Sequence, residues 1–257
     1  MKRLQAYFAK TTVEDLWDHH TAAMRAYGFD RLLYAFSAFR GHGMYDNPQD
    51  ALLLSNMNPD YIEAYVNGGL FRDGPMSRWA SDNHGAASWR DIHQKLLATR
   101  APTADERAVM ALNQRHDLRA GYTISFPMAI KNATAGIGMA VCADMTQDDA
   151  DAIWAEHGTE IEVINHVSHL CLMHLPASGQ RRLLTARQAE VLELVADGKT
   201  MQDIALLLDR NVATVEKHLR GARDALGVET TAQAVRKASI LNQIFRLDAE
   251  NAPAASG

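Results

Sequence analysis

The stretch "LTARQAEVLELVADGKTMQDIALLLDRNVATVEKHLRGARDALGVETTAQAVRKASILNQI", Leu184 to Ile244, decides the C-terminal part of the chain. It holds four short helical periods, each with its own start signal. Thr185 with Gln188 forms a capping box, and Gly198 closes the helix that follows. Thr200 with Asp203 opens the second, Asn211 can cap the third, and Thr230 with Gln233 opens the fourth. Only "LDRN" separates the second helix from the third, a turn short enough for a helix-turn-helix.

The third helix has two faces. Val215, Leu219, Ala222 and Leu226 recur at i, i+4, i+7 and i+11, so they point into a core. The other face carries Ala213, Lys217, Arg220 and Asp224, flanked by Glu216 and Arg223. Cations facing outward on the second helix of such a pair suit phosphates and guanine edges in a DNA major groove. The same charges would also suit a solvated face of an ordinary helical bundle. The caps, the short turn and the sided cations together favour DNA.

This module resembles the LuxR-type helix-turn-helix. Leu184-Thr185, Leu192, Gly198, Ile204-Ala205, Thr214-Val215, His218-Leu219 and Leu226-Gly227 carry the likeness. The residues expected at DNA are Thr214, Glu216, Lys217, Arg220 and Arg223, with Lys199 ahead of the second helix. Gln188 stands where the family usually has Glu, and Asn211 where it usually has Ser; both can still cap. Ala225 and Thr231 occupy positions where relatives often carry a cation. Gly221, in mid-helix, should cost about 1 kcal/mol relative to Ala.

Outside this module the chain reads differently. It has 257 residues and 28.4 kDa, 47% of them hydrophobic, which suits one large packed domain or two modest ones. Net charge is -5, so the chain as a whole does not look like a nucleic-acid binder although one domain could be. From residue 181 onward 11 Lys and Arg stand against 10 Asp and Glu, and before it 15 stand against 21. The C-terminal part therefore has the better electrostatics for phosphate. Cys142 and Cys171 form no CxxC, which fits a reducing cytosol. The start "MKRLQAYFAKTTVEDLW" has no apolar region behind its basic residues, and no apolar run reaches a membrane span, so a cytoplasmic chain is expected.

The segment "LPASGQRRLLT" has linker composition. The expected boundaries are a small-molecule sensor domain over 1–175, a linker over 176–183, the DNA-binding domain over 184–247 and a disordered tail over 248–257. In the first, "TTVEDLWDHHTAAMRAYG" reads as a helix closed at Gly28, with His19-His20 on a surface-looking face. "LLYAFSAF" and "ALLLSN" read as strands. "TADERAVMALNQRHDL" reads as a helix capped by Thr103 with Glu106. "AGYTISFPMAI" and "AGIGMAVCAD", joined through "KNAT", read as a hairpin. A long helix follows, with Ile153, His157, Ile161, Ile164, Val167 and Cys171 on one stripe. The fold class is α+β: an α-β-α sandwich on a mainly antiparallel sheet, then an all-α four-helix domain.

Residues 10 to 175 are similar to the autoinducer-binding domain of quorum-sensing regulators. That family has an aromatic pair four residues apart, an Asp-Pro, a Trp fourteen residues after the Pro, and a Gly opening a strand. Here Tyr61, Tyr65, Pro75, Trp89 and Gly121 match. The resemblance implies an acyl-homoserine lactone as ligand, with the first aromatic donating to its lactone carbonyl. The Asp would accept from its amide N–H, and the other aromatics would wall the pocket. The expected ligand residues are Tyr61, Tyr65, Asp73, Trp89, Met57 and Ala140. Tyr61 replaces a usual Trp. Asp73-Gly74-Pro75 stands where x-Asp-Pro is expected, so Asp73 is one position early. A bulge at Gly74 could restore its direction; otherwise Asp73 forms a turn. The small residues Gly136, Gly138 and Ala140 leave room either for an acyl chain or for close packing.

His166 and His169, near Cys171, offer too few ligands for a zinc site, and no metal or cofactor is expected. No GxSxG, HExxH or GxxxxGK[ST] occurs, so an enzyme is not expected. The resemblance implies a ligand-responsive transcription regulator that pairs as a homodimer on a palindromic double-stranded operator, with RNA polymerase as a further partner and no membrane. Two alternatives stay open. One is the same architecture with a different small molecule or none; the other is an enzyme domain fused to a DNA-binding module.

Overall fold

The computed structural model describes residues 2–37, 51–128, 133–175 and 183–245. The expected tail and most of the expected linker lie outside them, as does part of "KNAT". The chain divides into two compact units, Met1–Met173 and His174–Gly257.

The first unit is built on five antiparallel strands in the order β2-β1-β5-β4-β3: β1 (Phe29–Ser37), β2 (Ala51–Ser55), β3 (Gly85–Ser88), β4 (Gly121–Phe126) and β5 (Thr134–Val141). Alternation along β1 separates two layers. Leu32, Tyr34 and Phe36 are buried on one face, among α1 (Lys2–Phe8), α2 (Val13–Arg25) and the long α7 (Gln147–His174). Tyr34 Oη bonds His169 Nδ1 at 2.9 Å, and the His169 ring stacks on Phe126 at 4.5 Å. Leu33 faces the opposite layer, which is formed by α3 (Pro59–Ile62), α4 (Pro75–Asp82), α5 (Trp89–Thr99) and α6 (Ala104–Arg115). The N-terminal unit is thus an α-β-α sandwich.

Three expectations need correction. His20 does not lie on a surface: it is 1% exposed, held between Tyr7 Oη at 3.0 Å and Asn165 Oδ1 at 3.1 Å. The stripe on α7 is shifted. Ile161 and Ile164 are buried, but Asn165, Ser168, His169 and Leu172 complete the buried face, while Ile153, His157, Val167 and Cys171 are half-buried. Polar residues are stable there because partners from α2 and β1 satisfy them, and apolar periodicity alone does not find them. Last, α1, α3, α4, α5 and β3 went unread, because each is short or has a mixed pattern.

Among its described residues the second unit has four helices: α8 (Ala186–Ala196), α9 (Met201–Leu207), α10 (Val212–Leu226) and α11 (Thr231–Ile240). The capping boxes at Thr185/Gln188, Thr200/Asp203 and Thr230/Gln233 all form, and Asn211 Oδ1 accepts from Thr214 N at 2.8 Å. Val215, Leu219, Ala222 and Leu226 join the buried core, together with Val191, Leu192 and Ile204. Asp209 turns the chain between α9 and α10 at φ 51°. Gly227, at φ 63°, closes α10 in the left-handed region that glycine tolerates. The buried ammonium of Lys237 donates to the Leu226 carbonyl at 2.6 Å, satisfying a free helix-end acceptor. Among the described residues no helix is long and apolar enough to cross a membrane.

Candidate functional site

Between the sheet and α3–α6 lies a cavity of about 80 Å³. Four of the expected residues, Met57, Tyr61, Tyr65 and Trp89, line it. Tyr61 and Tyr65, one helical turn apart, stack with ring centroids 5.2 Å apart and an interplanar angle of 21°. Their phenols are pushed up in pKa by burial, so both keep their protons and remain hydrogen-bond donors. Tyr61 Oη donates to Asn113 Oδ1 at 2.9 Å. Tyr65 Oη and Ser77 Oγ share a bond at 2.6 Å. Trp89 Nε1 donates to Thr123 Oγ1 at 3.0 Å, which ties α5 to β4.

Asp73 and Ala140 do not line the cavity. Ala140 is fully buried in the cluster around Tyr61 and Leu118. Asp73 ends a 3₁₀ turn over Leu70–Asp73. Successive residues of such a turn point about 120° apart, so a one-residue offset redirects the side chain altogether. Gly74 does not bulge to correct this. It sits at φ -65° and ψ 123°, a conformation open to any residue, and its missing Cβ points at Tyr65 Oη, 2.5 Å away.

The two β5 glycines divide between the alternatives left open. A Cβ on Gly138 would meet nothing within 4 Å, so this position leaves space. One on Gly136 would meet the Ile124 carbonyl oxygen at 3.1 Å and Ala80 Cβ at 3.3 Å, so this position serves packing. Ser77, Asn113, Thr123 and Thr134 also line the cavity. No pattern along the chain marks them, because single polar residues on different elements meet only after folding.

The wall formed by α4 and α6 is held by Glu106. This carboxylate is 1% exposed and accepts from Arg100 at 2.6 and 2.7 Å, Arg78 at 3.0 Å and Thr103 N at 2.8 Å. The Arg100 hydrogen bonds lead in pulling its pKa down to about 2.

In the second unit, Glu216, Lys217 and Arg220 stand exposed on α10, and Lys199 stands exposed before α9. The 4.0 Å approach of Arg220 to Glu216 is an exposed pair of small energetic weight. Two of the expected residues have structural duties. Thr214 Oγ1 donates to Asn211 Oδ1 at 2.9 Å. Arg223 is half-buried and donates to Thr231 Oγ1 at 3.1 Å, which links α10 to α11. Among the described residues no three His, Cys, Asp or Glu side chains converge as a metal site; the Nδ1 of His166 is directed to the Glu162 carbonyl.

An α-β-α sandwich with a lined cavity, followed by a helix-turn-helix unit, defines a sensor-plus-DNA-binding class of protein. Residues 12–172 match the family model described as autoinducer binding domain, and residues 182–238 match that of bacterial regulatory proteins, luxR family. The chain belongs to the LuxR-type regulators that carry an autoinducer-binding domain, a family of DNA-binding transcription regulators of quorum sensing.

Among curated relatives, the transcriptional activator protein LuxR of Aliivibrio fischeri (strain ES114) is 23% identical over 198 residues, 76% of each chain. The quorum sensing-dependent transcriptional regulator RpaR of Rhodopseudomonas palustris is 29% identical over 196 residues, 75% of each chain. The crystal structure of Escherichia coli SdiA superposes with a TM-score of 0.53 at 16% identity, covering 95% of this chain and 96% of that one. A second SdiA structure is a complex with octanoyl-rac-glycerol, with a TM-score of 0.51 at 15% identity over 93% of this chain and 92% of the other.

Proposed function

We propose that a small apolar signal enters the cavity between the sheet and α3–α6 and controls the binding of α10 to a palindromic operator by a homodimer in the cytoplasm. The observation that carries this reading is a lined internal cavity in a chain whose other unit exposes Lys217 and Arg220 on the second helix of a helix-turn-helix. At about 80 Å³ the cavity is small beside the 300 Å³ or more usual for ligand pockets. A signal with an acyl tail has to displace its flexible walls, Met57 and Met76, and thioether side chains suit that task. Ligand that completes a core stabilises the folded state by mass action. RNA polymerase would be the partner through which a bound activator acts.

An acyl-homoserine lactone is the first reading of the signal, supported by the autoinducer-binding family match and the Tyr61, Tyr65 and Trp89 walls. A different small molecule is the second, favoured by the position of Asp73 outside the cavity. The test is a thermal unfolding scan of protein shown to be free of carried-over ligand, against acyl-homoserine lactones of graded chain length. A raised midpoint at one chain length supports the first reading. No shift with any member refutes it.

A further inference from the structure

Among the described residues the cavity has no charged lining residue. Among the residues that form it there is no Asp, Glu, Lys, Arg or His. Its polar groups are neutral, and several of their donor positions are open. With Tyr61 donating to Asn113 Oδ1, the Asn113 amide keeps both hydrogens for a ligand. Thr123 Oγ1 accepts from Trp89, so its own hydroxyl hydrogen is free. In the Tyr65–Ser77 pair one hydroxyl donates to the other, which leaves one O–H to spare. A ligand carbonyl or ester oxygen meets donors here. A ligand N–H meets only neutral oxygens here, and no carboxylate among the described residues.

The position from which a carboxylate could enter is closed. Gly74 caps α4 without a side chain, although an Asp there would stabilise the helix end by a few tenths of a kcal/mol. Its backbone angles do not call for glycine. Space does: the Cβ would lie 2.5 Å from Tyr65 Oη and 3.4 Å from Ser77 Oγ. The Tyr65–Ser77 hydrogen bond thus stands where a side chain from residue 74 would need to pass.

We propose that this pocket is built for a neutral acyl ester or ketone held through its oxygen atoms, and that the Tyr65–Gly74 pair sets this preference against acyl amides. The proposal rests on the reading of the cavity as the signal site. A secondary amide buried here finds only neutral acceptors for its N–H, so it lacks the charge-assisted bond that would favour it over the ester. The ester analogue, with oxygen in place of that N–H, has no donor to strand.

The test is a matched pair titrated into the full-length protein, freed of carried-over small molecules. One member is N-octanoyl-homoserine lactone. The other is α-octanoyloxy-γ-butyrolactone, its ester counterpart. The titration is repeated with shorter and longer chains. The expected result is an ester that binds within threefold of the amide, or tighter. An amide that binds more than threefold tighter overturns the proposal and leaves the signal-site reading intact. Binding of neither at any chain length overturns both. In the double variant Tyr65→Phe/Gly74→Asp, the hydroxyl is gone and a carboxylate can enter. If it folds, the preference should move toward the amide by about tenfold, the scale of a charge-assisted hydrogen bond. A folded double variant with an unmoved preference overturns the role given to this pair. If the variant does not fold, the wild-type comparison decides alone.

Discussion

The Cβ that Gly221 lacks would lie 2.7 Å from Nε2 of Gln188. Gln188 is the return partner of the α8 capping box, its Oε1 accepting from Thr185 N at 2.9 Å, and the other end of its amide rests over α10 at Gly221. The glycine that weakens α10 therefore makes room for the cap of α8. Gly221→Ala alone should leave stability nearly unchanged, because the roughly 1 kcal/mol propensity gain is offset by displacing Gln188. With Gln188 first changed to Ala, the same substitution should stabilise by about 1 kcal/mol. All four tryptophans, Trp17, Trp79, Trp89 and Trp154, lie in the other unit. Hydrogen exchange of α10 amides is therefore the readout. Strict additivity of the two substitutions would sink the coupling.

The cations of the C-terminal unit separate by exposure. Lys217→Ala and Arg220→Ala should each weaken operator binding and reduce the salt slope by about one unit where the side chain meets a phosphate. Arg223→Ala should act differently, since Arg223 is half-buried against Thr231. It should lower the stability of the C-terminal unit by roughly 1 kcal/mol while the salt slope stays near wild type. Binding measured over a range of salt concentrations checks both. A lost unit of slope for Arg223→Ala would assign it to DNA after all.

How much of this was readable from sequence depends on the range of the interactions. The helix-turn-helix unit was legible because its signals are local: caps three residues apart, Gly198 after α8 and Gly227 after α10, and an apolar stripe on α10 whose four members are all buried. The aromatic wall was legible through spacing. Asp73 is not among the cavity-lining residues: a one-residue offset in a 3₁₀ turn changes direction completely, which one-dimensional spacing does not encode. His20, Asn113 and Thr123 were illegible because their partners lie 145, 52 and 34 residues away.

Two buried histidines should make the N-terminal unit sensitive to mild acid. Burial lowers His20 and His169 from the ordinary 6.5 to about 4. Below 6.5 the unfolded chain binds the proton that the folded state refuses. Stability is therefore full above that value and declines as pH falls toward 4. Each histidine should remove about 1.4 kcal/mol per pH unit within that window. Urea unfolding followed by tryptophan fluorescence, at near-neutral and mildly acid pH, measures the slope. Replacing His169 with Phe should reduce it by about half. An unchanged slope would mean that His169 titrates normally in the folded protein.

Glu106 makes the opposite kind of contribution, and the two can be separated by pH. Arg100 first, then Thr103 N and Arg78, favour its charged form, so its folded pKa lies below the ordinary carboxylate value. The stability this supplies is present above that ordinary value and is lost only as pH falls toward about 2. In the upper part of the range in which the histidines titrate, well above the ordinary carboxylate value, Glu106 is ionised in both folded and unfolded chains. Glu106→Gln keeps the shape but leaves two guanidinium groups facing a neutral amide. Arg78 and Arg100 are 49% and 40% exposed, so water compensates part of the loss. The expected cost is about 3 kcal/mol, the low end for breaking a buried pair. That cost should be the same at near-neutral and mildly acid pH, where the histidine contribution changes. Because Arg78 belongs to α4 and Glu106 to α6, the variant should also loosen the cavity wall beside Ser77, which weakens whatever signal the cavity takes. A cost that varies with pH across this window would show that Glu106 is not ionised throughout it, and the ion cluster would not be what fixes that wall.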